Sequence, residues 1–81
     1  MDHLTPTIRD LADSAIRLDS DVYGNPRYYI PAYLFWDVLG KGARPLGAMK
    51  YRGKKYGPGW VFQSYALEND LREAIKQTRE A

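Results

Sequence analysis

Residues 47–65 read GAMKYRGKKYGPGWVFQSY. Two runs suited to extended backbone, Gly47–Arg52 and Trp60–Tyr65, enclose a turn region with Gly53, Gly57, Pro58 and Gly59. Side chains alternate along a strand, so Met49 and Tyr51 share one face of the first run and Lys50 and Arg52 the other. The second run carries the aromatic and β-branched residues that favour strands. Strand-like runs around a glycine-rich turn predict a β-hairpin, here with a basic tip at Lys54 and Lys55.

Before the hairpin, Tyr28 to Trp36 is aromatic and almost wholly apolar, which predicts another strand. Tyr28, Ile30, Ala32, Leu34 and Trp36 would share one face, and Tyr29, Tyr33 and Phe35 the other. Pro31 lacks an N–H and marks an edge strand or a bulge. Gly24-Asn25 before this run is a turn signal, with Pro26 next to it. Asp37 to Leu46 is expected to be a loop or one short helical turn, because Gly40, Gly42 and Pro45 interrupt any regular run.

The two ends of the chain show helical periodicity. Ile8, Leu11, Ala12, Ala15 and Ile16 form one apolar stripe, with Thr5 as the expected cap and Pro6 at the first helical position. This predicts a helix near 6–18. Leu67, Leu71, Ala74, Ile75 and Thr78 line one side of a second helix over 67–80, with Glu68 and Asp70 at its start and Lys76 and Arg79 at its end, as the helix dipole favours. The fold class is α+β. Residues 1–81 form a single domain, a small antiparallel three-stranded sheet between an N-terminal and a C-terminal helix (α-β-β-β-α), with both helices on one face. The opposite face would display aromatic and basic side chains. Leu11, Ile16, Ile30, Leu34, Val61, Leu71 and Ile75 are the expected core.

The net charge of +2 over 81 residues conceals a segregation. Between Asp37 and Glu68 there is no acid, yet the span holds six bases: Lys41, Arg44, Lys50, Arg52, Lys54 and Lys55. The preceding residues hold six acids against three bases, and the following ones four against three. Such separation predicts one surface for a polyanion or an acidic protein. The absence of cysteine excludes disulfides and thiolate metal sites. No apolar run approaches the length of a membrane span, and Met1–Leu4 does not open a signal peptide. A soluble, intracellular protein is expected.

Little in the chain suggests catalysis. His3, the one histidine, sits beside the terminus, where catalytic geometry is hard to fix. Ser14 and Ser20 have no evident base, and Ser64 reads as a strand-end or capping hydroxyl. The spacing of Asp10, Asp13, Asp19 and Asp21 matches no calcium loop, and the glycines at 53, 57 and 59 match no phosphate-binding motif. Neither an enzyme activity, a cofactor nor a metal is expected.

Two segments, Val22-Tyr23-Gly24-Asn25-Pro26-Arg27-Tyr28 and Lys50 through Leu67, resemble stretches of small proteins encoded by bacteriophages and prophages. In those proteins a "GNPRY" strand precedes a basic, glycine-rich hairpin that ends in "VFQSY" and a helix. The resemblance covers about a third of the chain. It implies a setting, a mobile genetic element inside a bacterium, and no particular activity. Small phage proteins without catalytic residues often bind host machinery, and anti-CRISPR proteins are one such class.

Arg44, Lys50, Arg52, Lys54, Lys55 and Tyr56 are the candidate partner-binding residues. One expectation is a monomeric, non-enzymatic inhibitor that docks on a host nucleoprotein effector complex, through an acidic patch or bound nucleic acid, and blocks it sterically. Another is a small accessory protein that binds DNA or RNA directly, by phosphate neutralisation and aromatic stacking. A third is a solvated hairpin whose lysines only protect a sheet edge from aggregation.

Overall fold

The structure is a computed structural model that describes residues 7–80. Its elements run α1 (Ile8–Asp13), β1 (Ile16–Leu18), β2 (Arg27–Pro31), α2 (Ala32–Leu39), β3 (Met49–Lys50), β4 (Gly59–Gln63) and α3 (Leu67–Glu80). The strands form one antiparallel sheet in the order β1-β2-β4-β3. The α+β class and the helix near each end agree with the sequence reading. The strand count does not, because the sheet has four strands, and a third helix, α2, lies between β2 and β3 along the chain.

Both differences have local causes. Helix α1 is shorter than the predicted 6–18. Thr7 caps it: the Thr7 hydroxyl accepts from Asp10 N at 3.1 Å, and the Asp10 carboxylate accepts from Thr7 N at 2.9 Å. This reciprocal pair satisfies two otherwise unpaired donors of the first turn. The expected cap Thr5 and first residue Pro6, like His3, lie outside the described residues. The helix closes at Ser14, and Ile16–Leu18 then pairs with β2 in the register Ile16↔Tyr29.

The predicted strand 28–36 breaks at Pro31. Residues 27–31 pair with β4, and Ala32–Leu39 turns into a helix with Pro31 as its N-cap. A proline loses nothing at a helix start, where the first N–H groups have no intrahelical partner. Ala32 and Phe35 face the core and Tyr33 faces solvent, a helical spacing. The helix stops at Gly40, whose φ of 106° suits glycine and whose N–H donates to Trp36 O at 2.8 Å.

The hairpin forms as predicted, with Met49 opposite Val61 and Lys50 opposite Trp60, and Tyr51 N donating to Gly59 O at 2.9 Å. Its strands are shorter than the runs 47–52 and 60–65, and its loop spans 51–58. The core gathers Leu11 of α1, Ile30 of β2, Ala32 and Phe35 of α2, Trp60 and Phe62 of β4, and Leu71, Ala74 and Ile75 of α3. The helices therefore cover the sheet face that carries Ile30, Trp60 and Phe62. Of the expected core, Leu11, Ile30, Val61, Leu71 and Ile75 are buried, while Ile16 and Leu34 are only half-buried. Ile16 sits on the edge strand β1, and Leu34 lies between the inward Phe35 and the outward Tyr33 on α2.

Candidate partner-binding face

The second face of the sheet carries Ile16, Tyr29, Val61 and Met49 in one row across the four strands. It is not the open aromatic display expected from the sequence. Loop 51–58 folds back over it, leaving Tyr29 1% exposed. The ring of Tyr29 lies 4.7 Å from that of Tyr51 and stacks at 5.2 Å on that of Tyr56. Phe35, placed by the strand reading beside Tyr29, belongs to the core instead, and Tyr33 is exposed on α2.

The Tyr29 hydroxyl fixes the loop. It donates to Tyr56 O at 2.8 Å, with Pro58 O at 3.1 Å and Gly57 O at 3.3 Å around the same proton. Burial, followed by the neighbouring phenols of Tyr51 and Tyr33, raises its pKa above the ordinary 10.0, so it stays a donor at neutral pH. Gly59 permits the close approach: a Cβ there would run into the Tyr29 ring and come within 2.7 Å of Ile30 O.

This mounting sets where Arg52, Lys54 and Lys55 stand. Arg44, Lys50, Arg52, Lys54 and Lys55 are all exposed. Arg44, Lys50 and Arg52 line one groove of about 630 Å³ with Arg27 of β2, over a floor that includes Met49, Tyr51 and Val61. One acid, Asp19, lies in the same groove, where its backbone carbonyl accepts from Arg27 Nε at 2.9 Å. Lys54 and Lys55 stand on the loop outside the groove lining. The Lys55 ammonium is 5.3 Å from the centroid of Tyr56, and the Arg44 guanidinium 5.6 Å from that of Trp60. Tyr56 is half-buried, and its ring packs on Tyr29. The sequence reading missed Arg27, which lies far from the basic span along the chain and reaches the groove only through the pairing of β2 with β4.

The two segments that carry the phage resemblance meet in space. Arg27 pairs with Gln63 and Tyr28 with Phe62. Ser64 N donates to Pro26 O at 3.1 Å, and the Tyr65 hydroxyl to Asn25 Oδ1 at 3.0 Å. The Asp21 carboxylate holds the turn that opens the first segment, accepting from Tyr23 N at 2.8 Å and Asn25 N at 2.9 Å, and reaches the second by accepting from the Gln63 amide. Burial pushes the Asp21 carboxyl up, but the N–H groups of Asn25 and Tyr23, the Asn25 amide and Arg27 outweigh it and hold the group below the ordinary carboxylate range.

Among the described residues, no group of three or more His, Cys, Asp or Glu side chains converges as metal ligands would. No described helix is long and apolar enough to cross a membrane.

Residues 7–81 match the family of the Staphylococcus phage terminal repeat-encoded protein TreK. The chain belongs to the TreK family. It is thus a small phage-encoded protein, and the match takes in every element of the TreK-family fold from α1 to α3. Neither a curated protein nor a solved structure matches it.

Proposed function

We propose that this TreK-family chain is a non-enzymatic, monomeric inhibitor that acts in the cytoplasm of the bacterial host, in the manner of an anti-CRISPR protein. Its basic face docks on a nucleic-acid-handling effector complex and obstructs it sterically. The observation that carries this reading is the groove in which Arg44, Lys50 and Arg52 stand with Arg27, beside a loop bearing Lys54 and Lys55. The Tyr29–Tyr56 contact anchors that loop, so part of the ordering cost of binding is met before a partner arrives. A cationic face cannot imitate the charge of DNA. It suits an acidic protein patch, an exposed guide RNA or nucleic acid already bound to the complex.

Direct binding of DNA or RNA by the free protein is the second reading, favoured by the fourth groove cation, Arg27. Two measurements separate them. Binding to bare DNA and RNA is followed at low and at physiological salt, and the tagged protein is used to capture complexes from staphylococcal lysate. The inhibitor reading expects no binding to bare nucleic acid and a stoichiometric complex with a nucleoprotein effector whose activity falls. Micromolar binding to bare nucleic acid that collapses as salt rises, with no effector captured, supports the second reading.

A further inference from the structure

A second pocket of about 390 Å³ adjoins the basic groove, with which it shares Arg44 and Lys50, and lies at the edge of the core between α2 and β3, where Trp60, Trp36 and Pro58 also line it. Its lining holds no carboxylate. Trp60 is 8% exposed, and its Nε1 is buried without an acceptor among the described residues. Its neighbour Trp36 differs: there the indole N–H donates to Ala43 O at 3.2 Å. A buried donor left unpaired is costly and calls for an explanation. Two cations flank it. Lys50 is the cross-strand partner of Trp60 and so projects from the same sheet face. The Arg44 guanidinium lies 5.6 Å from the centroid of the Trp60 ring, on a long exposed side chain borne by a segment without regular structure.

From this juxtaposition we infer that the pocket is a binding site for a phosphate group, held by the guanidinium of Arg44, the ammonium of Lys50 and the indole N–H of Trp60. Arg44 lies over the Trp60 ring and swings off it to meet the phosphate, whose oxygen then accepts from Trp60 Nε1. The donors come from two strands and a loop, and the two cations among them match the charge of a phosphate, about −1.5 to −2 at neutral pH, better than the single charge of a carboxylate. The remaining volume, against Trp36 and Pro58, admits an attached sugar or base. This site does not depend on the inhibitor reading, because inorganic phosphate alone tests it.

The test is a titration followed by the two indole N–H signals in a nitrogen-edited NMR spectrum of the full chain, at constant ionic strength. Trp60→Phe assigns the signals, and Trp36→Phe does so should the first variant fail to fold. Inorganic phosphate should move the Trp60 signal saturably and slow its exchange with water, leaving Trp36 in place. The exposed double variant Arg44→Gln/Lys50→Gln should weaken that response by roughly tenfold or more, since it removes two charge-assisted bonds. A nucleoside monophosphate binding more tightly than phosphate identifies a small nucleotide as the source. A short single-stranded oligonucleotide binding more tightly still identifies a backbone phosphate. No saturable shift of Trp60, an equal response to acetate, or an undiminished response in the double variant would each overturn the inference.

Discussion

The hydroxyl of Tyr29 donates to the carbonyl oxygen of Tyr56 at 2.8 Å, while the two rings stack 5.2 Å apart. A residue in the middle of β2 thereby anchors the loop that carries Arg52, Lys54 and Lys55. The sheet and its basic loop are coupled through one phenol. Whatever loosens that phenol should be felt first in the loop and only then in the core.

Tyr29→Phe keeps the ring and removes the donor, leaving the carbonyls of Tyr56, Gly57 and Pro58 without it. The expected cost is about 1–3 kcal/mol, the range for a buried group that loses its partner. Urea unfolding measures the loss. Amide exchange should quicken across residues 51–58 while α3 stays protected. A change within about 0.5 kcal/mol, the ordinary surface range, would mean that water already satisfies these carbonyls.

Gly59→Ala tests the same contact from the other side. The added methyl has no room between the Tyr29 ring and Ile30 O, and both lie in the paired centre of the sheet. Overpacking of this kind costs about 1–3 kcal/mol. A thermal midpoint equal to that of the wild type would show that β2 and β4 separate more easily than their close approach implies.

Two groups give stability a pH dependence of opposite sense. Burial, then Tyr51 and Tyr33, raises the pKa of Tyr29. In the unfolded chain the phenol ionises near ~10. Above that pH the unfolded state releases a proton that the folded state retains. The Tyr29 contribution is therefore complete below ~10 and lost as pH climbs through the higher folded value. Asp21 is depressed instead. As pH falls, the unfolded carboxyl takes up a proton near ~3.9, before the folded one does. Its contribution is complete above that value and lost as pH drops through the lower folded one. Tyr29→Phe should flatten the alkaline limb of the stability curve, and Asp21→Asn the acid limb. Parallel curves for wild type and variants in urea unfolding from acid to alkaline pH would remove both assignments.

How much of this was legible in the sequence depends on the length of each signal. Helix α3 runs for 14 residues with Leu67, Leu71, Ala74 and Ile75 in one stripe, long enough for its period to be unmistakable. The hairpin was announced by its glycines. Ile16–Leu18 is three residues, too few to show a period of two, and Ile16 also completes the stripe of α1. Residues 32–39, AYLFWDVL, are so uniformly apolar that periods of 2 and 3.6 fit about equally well. The deciding residue was Pro31, which ends β2 and opens α2 but reads equally as a bulge. At the candidate face, the charge pattern located Arg44, Lys50 and Arg52. Arg27 joins them only through strand register, and the packing of Tyr56 on Tyr29 follows from a contact across 27 residues that no local pattern records.

The basic face itself is tested by reversing charge at two places. Lys54→Glu/Lys55→Glu alters the loop outside the groove, and Arg44→Glu/Arg52→Glu alters the groove. All four side chains are exposed, so folding should survive both changes. The loop variant also gives up the Lys55–Tyr56 contact, worth about 0.5–1 kcal/mol at an exposed site. If an acidic partner or bound nucleic acid docks on this face, each reversal replaces attraction with like-charge repulsion. The association rate should fall, and the salt dependence of binding should weaken with it. Surface-immobilised partner and a salt series would measure both. Loss confined to the groove variant would place the contact among Arg27, Arg44, Lys50 and Arg52, with the loop as a bystander. Full inhibitory activity in both variants would reduce the basic residues to a solvated surface, and the search for the partner site would move to the outer faces of the helices, beginning with Tyr33, which stands 61% exposed on α2.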